Sequence, residues 1–377
     1  MVSRRFSAWP REDYFILGGG IALAIALRVS LLDFTTLDFR DFHSAWYDFI
    51  RNNGGVWALR SSFSNNTPLY QYLLVAANTA GLSALQAVKL IPSCFDFVTA
   101  YFAYRIVRLR YPAGSIALYA FLVVLFVPTV VLNGSFWGET DMLYTSCLVA
   151  CLYFLLTKKN VLGLIAFGLA FSFKLQAMFL APFLLILLFR RIVPWKYFLL
   201  VPAVYGVTLI PAWVVGRPLP ELLQIYLGQT DTYRALAMNA PTLYQWFPND
   251  LYDILYPAGM IWGAVMVFFC VVLGSKSRAP LTGERLIAWA TLSVLIVPYV
   301  LPKMHDRFFF PADVFSVLLA FYVPRLFVVP VVVCAVSFFS YFPFLFGYEV
   351  IPLRYLAIVL LAPIVLLARH LFQAESA

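Results

Sequence analysis

Residues 33–70 read DFTTLDFRDFHSAWYDFIRNNGGVWALRSSFSNNTPLY, and the fold turns on where this stretch is placed. It carries four carboxylates (Asp33, Asp38, Asp41, Asp48), three arginines (Arg40, Arg51, Arg60), His43 and a run of Asn, Ser and Gly. The sequence on either side is apolar enough to lie in lipid. A polar segment this long must then sit outside the hydrocarbon, on one face of a membrane protein. Within it Trp46, Tyr47, Phe49, Ile50 and Trp57 recur at roughly helical spacing among charges, the pattern of a short helix lying along the interface. Asp38 and Asp41 are three apart and would share a face of a helical turn. A solvated connecting loop is the plainer reading, but short connections suffice elsewhere in the chain.

Composition agrees with the membrane reading. The chain is 63% hydrophobic and 12% charged, with mean hydropathy +0.85, where a soluble domain has about 25% charged residues. Its 377 residues leave no room for a separate soluble domain, so 1–377 reads as one all-α, multi-pass unit. The net charge of +9 does not indicate nucleic acid, because the basic residues are scattered over short loops. Orientation signals and contact with anionic lipid explain them. Cys94, Cys147, Cys151, Cys270 and Cys334 all sit in apolar runs, as helix-packing residues do. Arg4, Arg5 and Arg11 ahead of an apolar run resemble a signal peptide, with Ala24-Ile25-Ala26 mimicking a cleavage site. The run continues to Leu32 with no soluble domain behind it, so an uncleaved first span is expected.

Residues 69–82 are apolar but only 14 long, against about 20 needed to cross the hydrocarbon. They are expected to dip into the surface as part of a first outer loop, 33–84. About twelve spans are expected, over 14–32, 85–109, 115–132, 142–157, 161–173, 177–189, 197–215, 256–273, 286–301, 308–322, 326–344 and 351–367. A second long outer loop covers 216–255, which divides the chain into a module 1–215 and a C-terminal helical module 256–377. With the N-terminus in the cytoplasm, this threading places Arg105/Arg108/Arg110, Lys158/Lys159, Arg190/Arg191, Lys276/Arg278 and Arg325 inside. Counting 69–82 as a full span would put every one of these clusters outside. Asn65 and Asp231 fall outside on the same threading.

The polar motifs then converge on one outer rim: Asp38/Asp41, Glu139/Asp141, Lys174/Gln176, the 216–255 loop and Lys303/His305/Asp306/Arg307. Cations at the end of a bundle receive a phosphate headgroup, and Arg grips it through two donors. A carboxylate within reach of a hydroxyl acts as a general base. Together they fit transfer of a group from a lipid phosphate to an alcohol. Lipid phosphate leaves without a general acid, but it needs positive charge where negative charge develops. A glycosidase would instead flank the bond with two carboxylates. Glu139 and Asp141 read equally well as helix N-terminal charges facing the dipole. Lys89 and Asp96, seven apart, and Arg28 are expected to form intramembrane pairs. The segment 229–249 mixes hydrogen-bonding and aromatic residues as a sugar site does. Tyr233 and Asn239 are its substrate-binding candidates, together with Trp246, which serves equally as an interface anchor.

At these residues the chain resembles the GT-C glycosyltransferases, multi-span enzymes that use polyprenyl-phosphate sugars. It is similar in particular to bacterial members related to the mannosyltransferases of GPI-anchor assembly. Asp38-Phe-Arg-Asp-Phe-His-Ser-Ala-Trp46 resembles the family's first-loop motif, an acid followed eight positions on by Trp, with Ala45 where the pattern has Pro. Asn133–Asp141, with its Phe-Trp-Gly core, resembles the second outer loop, with Glu139 where relatives often carry Gln. The run around Phe173-Lys174-Leu-Gln176 is similar to the lysine-bearing hairpin of dolichyl-phosphate-glucose-dependent glucosyltransferases. Met304-His305-Asp306-Arg307 resembles their motif near the lipid phosphate. The resemblance implies an inverting hexosyltransferase, a mannosyltransferase or glucosyltransferase, acting outside the cytoplasm of a bacterial inner membrane. It implies Asp38 as catalytic base, with Asp41, Glu139 and Asp141 as supporting acids, and Lys174, Lys303, His305 and Arg307 on the donor phosphate. The implied partners are a polyprenyl-phosphate sugar, a glycan or lipid-linked acceptor and membrane lipid, with no nucleic acid, no metal and no cofactor. A lipid-linked-glycan flippase or other transporter is the competing class. It would place its charges near mid-membrane within inverted repeats, and no repeat is evident.

Overall fold

A computed structural model describes residues 11–229 and 233–372, so Arg4, Arg5 and Asp231 lie outside the described residues. The fold is helical, with a single two-residue parallel pairing, Ala237–Met238 on Met304–His305. Among the described residues seven helices are long and apolar enough to cross a membrane: Glu12–Ser30, Ala84–Arg110, Trp195–Val215, Asn249–Lys276, Gly283–Val300, Pro324–Phe346 and Leu353–Phe372. An eighth is reached if Ile116–Phe126 and Pro128–Trp137, bent by 47°, count as one span. The structure thus has seven or eight candidate spans where the sequence leads us to expect about twelve. Helices do stand at the other expected positions, but Asp141–Leu156, Asn160–Phe173, Leu175–Phe189 and Phe310–Tyr322 are shorter. An apolar window in sequence does not separate a helix that crosses lipid from a short one enclosed by other helices.

The enclosed helices make the centre. Asp141–Leu156 has 13 of its 16 residues buried, and Phe310–Tyr322 has 11 of 13, so both are surrounded by protein on all sides. Ala84–Arg110 packs on Ile116–Phe126 and on Asp141–Leu156, which in turn packs on Asn160–Phe173. Ser83 starts the long helix through a capping box: its Oγ accepts from Gln86 N at 3.2 Å, while Gln86 Oε1 accepts from Ser83 N at 2.9 Å. Arg28 binds Asp96 at 2.8 Å and reaches the Ala24 and Leu125 carbonyls, tying the first helix to the bundle. Asp96 therefore pairs with Arg28, and Lys89 instead donates to the Leu31 carbonyl.

The helix Pro68–Thr79 covers most of residues 69–82 and lies between the first polar stretch and Ala84–Arg110. Its Gln71 accepts from the buried Arg217, whose guanidinium also donates to Ser62 and to Glu221. Tyr72 donates to the Thr208 carbonyl. These bonds fix the polar loop onto the helix Leu200–Val215 and give the loop a rigid frame.

Candidate active site

The first outer loop delivers Asp38 at the start of one turn of π-helix, Phe39–His43, which runs into the short helix Ser44–Asn52. A second one-turn π-helix, Val131–Trp137, delivers Trp137. Gly138 then takes φ 88°, and a Cβ there would lie 2.7 Å from Val88 Cγ1. Only glycine allows this reversal. It brings the Glu139 N–H back to the Asn133 carbonyl at 2.9 Å and starts the next helix on Asp141. Lys174 occupies the extended break (φ −156°, ψ 138°) between Asn160–Phe173 and Leu175–Leu180. Arg307 sits in the 3₁₀ turn Asp306–Phe309, which follows the Met304–His305 strand. Every one of these groups is at a helix end or break.

They meet. Trp137 Nε1 donates to Asp38 Oδ2 at 2.8 Å, and the Glu139 carboxylate lies close enough to act on the Asp38 carboxyl. Arg307 Nε lies 3.3 Å from Glu139 Oε2 and 3.7 Å from Asp141 Oδ2. Lys174 Nζ lies 2.6 Å from Asp141 Oδ1 and 4.0 Å from Glu139 Oε2. Asn133 Nδ2 donates to Asp141 Oδ2 at 3.0 Å. The Arg307 guanidinium also lies over the Trp137 ring, 5.3 Å from its centre.

Charge is unevenly shared. Burial and the neighbouring Glu139 charge push the Asp38 carboxyl up to about 6, against the opposing pull of Arg307 and Trp137. Burial also works to raise Glu139, but Arg307, Lys174 and His43 outweigh it and hold that carboxyl down to about 2. A proton shared by this pair therefore resides on Asp38, and Glu139 stays a carboxylate. Burial, then Arg307 and Lys174, push His305 down to about 3, so its ring is neutral near pH 7. Burial raises Asp306 to about 7 despite the adjacent Arg307.

A cavity of about 450 Å³ opens over this cluster. Asp38, Glu139, Lys174 and Arg307 line it, as do Lys303, His305 and Tyr233. Apolar residues, including Met178, Phe179, Met260, Val297, Leu301 and Phe308, complete the lining. Lys303 holds a left-handed backbone (φ 62°), its N–H bonded to the Leu236 carbonyl at 2.8 Å. Its ammonium lies over Tyr256 and Tyr252, 5.4 and 5.8 Å from their ring centres.

Seven of the ten expected residues line the cavity. Asp141 does not; it is fully buried behind Lys174 and fixes that amine. Asn239 bridges to His305 through its backbone and is not in the lining. Asp41 is exposed and away from the cavity, because the chain winds as a π-helix there, so a spacing of three does not share a face. His305 lines the cavity as a neutral ring and not as a cation. The sequence leaves His43, Trp46 and the Asn65-Asn66 pair without assigned roles, yet all line the cavity. Trp137 likewise had only its place in a Phe-Trp-Gly core to mark it. Among the described residues no three of His, Cys, Asp and Glu are grouped as metal ligands.

The fold is similar to that of ArnT. The crystal structure of ArnT from Cupriavidus metallidurans bound to undecaprenyl phosphate matches 96% of this chain and 71% of the ArnT chain, with a TM-score of 0.58 at 15% identity. No protein-family model and no curated protein matches the sequence. The chain is thus a multi-pass, helical integral-membrane protein with an ArnT-like fold. At this identity the likeness to ArnT is one of architecture, and the site rests on this chain's own geometry.

Proposed function

We propose that this chain is an inverting GT-C glycosyltransferase using a polyprenyl-phosphate sugar. One observation carries the reading: Asp38, bonded to Trp137, opens onto the same cavity as Lys174, Lys303 and Arg307. The ArnT-like fold and the lipid phosphate bound in ArnT support it. Asp38 takes the proton of an acceptor hydroxyl as that oxygen attacks the anomeric carbon. The bond from carbon to phosphate oxygen breaks, and its electron pair leaves on the phosphate. Arg307 and Lys303 meet the charge that develops there, and His305 donates as a neutral ring. Lys174 acts mainly through the acids it neutralises. A carboxyl near 6 is still ionised at pH 7 and is a stronger base than an ordinary aspartate.

On this reading the sugar is a hexose, mannose or glucose, and the acceptor is a lipid-linked or other glycan outside the cytoplasm. The short central helices complete about twelve crossings, with the cavity at the outer rim. No metal is required, since Arg307 and Lys174 already neutralise the acids. A transporter would gather its charges at mid-span, whereas these groups sit at helix ends. Incubating purified protein with a panel of radiolabelled polyprenyl-phosphate sugars and a lipid-linked glycan tests the proposal. Transfer from at least one donor, lost in Asp38→Asn, is the expected result. Movement of labelled lipid across a vesicle membrane without any transfer would favour the transporter.

A further inference from the structure

His43, Trp46, Asn65 and Asn66 of the first outer loop line the same cavity as Asp38, and the mechanism above uses none of them. Gln176 joins them from the turn Leu175–Leu180 that follows Lys174. All five are uncharged near neutral pH. Burial holds the His43 ring below its ordinary pKa, and Arg307 and Lys174 add to this against the pull of Glu139. His43 is only 5% exposed. Its Nδ1 is enclosed without a hydrogen-bond partner among the described residues, and so is Gln176 Oε1. A buried polar atom left unpaired is costly. A hydroxyl both donates and accepts, so it satisfies the amide oxygen and either tautomer of the ring.

The frame that carries these groups is well tied. His43 ends the π turn that Asp38 begins, so the imidazole and the proposed base belong to one turn of chain. The Trp46 ring lies against His43 and Phe42, with centres 5.2 and 6.0 Å apart. Asn66 is held through its backbone: its N–H donates to Ser64 Oγ at 3.3 Å, and its carbonyl accepts from Gln71 Nε2 at 3.0 Å. Thr67 Oγ1 donates to the Phe173 carbonyl at 3.1 Å, which ties this part of the loop to the break that carries Lys174. The charges of the cavity come from other segments, where Lys174 and Arg307 already face Glu139. Carboxamides, an imidazole and an indole supply the polar edges and apolar face that a sugar ring requires. They offer no cation to a phosphate and no carboxylate to an amine.

Resting on the glycosyltransferase reading, we propose that His43, Trp46, Asn66 and Gln176 form the acceptor subsite and select an uncharged sugar with hydroxyls next to the one that reacts. They are positioning residues, and the proton still goes to Asp38. The test is saturation-transfer NMR on the purified full-length protein in lipid nanodiscs, with no turnover needed. The probes are the methyl glycosides of mannose, glucose and galactose, with their 6-phosphates and 2-amino-2-deoxy counterparts. At least one neutral glycoside should bind roughly tenfold or more tighter than its charged counterparts. Trp46→Ala, Asn66→Ala and Gln176→Leu should each weaken it roughly threefold to tenfold and leave the affinity for undecaprenyl phosphate unchanged. His43→Leu should lose the glycoside. His43→Gln keeps a donor and an acceptor and should recover much of the binding, a rescue that a packing role would not give. Trp46 and Asn66 are only partly buried, so their variants keep the test valid if a His43 variant does not fold. Charged probes that bind as tightly as neutral ones overturn the proposal. So does glycoside binding that every variant leaves unchanged, or that falls together with affinity for undecaprenyl phosphate. A protein that transfers sugar but binds no glycoside overturns this subsite and leaves the enzyme standing. Selective glycoside binding without transfer from any donor keeps the sugar site and overturns the enzyme, and neither binding nor transfer overturns both.

Discussion

Trp137 holds Asp38 by its indole edge and Arg307 by its ring face, at 2.8 Å and 5.3 Å respectively. Phe344, stacked at 5.0 Å, and Tyr341, at 5.3 Å, hold that ring in place, and Thr36 donates to its carbonyl at 3.1 Å. One side chain thus sets the spacing between the proposed base and the proposed phosphate cation. Trp137→Phe removes the N–H and keeps most of the packing. The bond favours the Asp38 carboxylate, so its loss should move the acidic limb of kcat/KM upward by roughly one pH unit. A loss of activity with an unmoved pH profile would make Trp137 a packing residue only.

Asp38→Asn keeps the shape of the proposed base and removes its lone-pair basicity. Turnover should fall by roughly 10²–10⁴-fold with donor affinity little changed. Asp41→Asn, at an exposed position outside the cavity, should retain activity. The reverse pattern would move the base to Asp41. Activity surviving both changes together would end the general-base mechanism.

The pH dependence has a definite sign. Asp38 must be ionised to accept a proton, and it titrates near 6, so activity should decline as pH falls through that value. Glu139→Gln removes a charge that raises Asp38, so the acidic limb should move to lower pH even if the maximum rate drops. A rate–pH profile for each protein decides the point. A limb that moves upward in Glu139→Gln would contradict the shared-proton pair.

Arg307→Ala should weaken donor binding as well as turnover, by about 1.5–3 kcal/mol for a charged hydrogen bond. Lys303→Ala should act chiefly on donor affinity, since its amine lies over Tyr256 and Tyr252 where the segment lines the cavity. Titration of an undecaprenyl phosphate analogue against each variant separates the two effects. Unchanged affinity in both would remove the 303–307 segment from phosphate binding.

Single cysteines at Asn65, Lys158 and Arg278 test the orientation. Position 65 should react with an impermeant reagent added from outside, and positions 158 and 278 should not. Outside labelling at 158 would overturn both the span count and the rim location of the cavity.

Much of this was legible in sequence because charge is conspicuous in so apolar a chain. Asp38, Glu139, Lys174 and Arg307 stand out against their surroundings, and the structure brings them to one cavity. Which helices are long enough to cross on their own was less legible. Asp141–Leu156 and Phe310–Tyr322 are as apolar as crossing helices, and their enclosure by other helices leaves no mark in composition. Asp41 was misplaced by assuming an α-helical period where the chain winds wider. Trp137 and His43 were passed over because their importance lies in partners about a hundred residues away or across the cavity. The neutrality of His305 follows from burial beside two cations, which a motif does not disclose.

The two-residue pairing of Ala237–Met238 with Met304–His305, closed by the Lys303–Leu236 bond, joins the long 216–255 loop to the segment that aims Arg307. The loop and that segment therefore share one backbone seam and are not separable modules. A chimera that grafts a foreign loop onto this bundle, in search of a new acceptor, would have to reproduce the seam or re-aim His305 and Arg307. If the proposed function holds, acceptor range and donor grip will drift together.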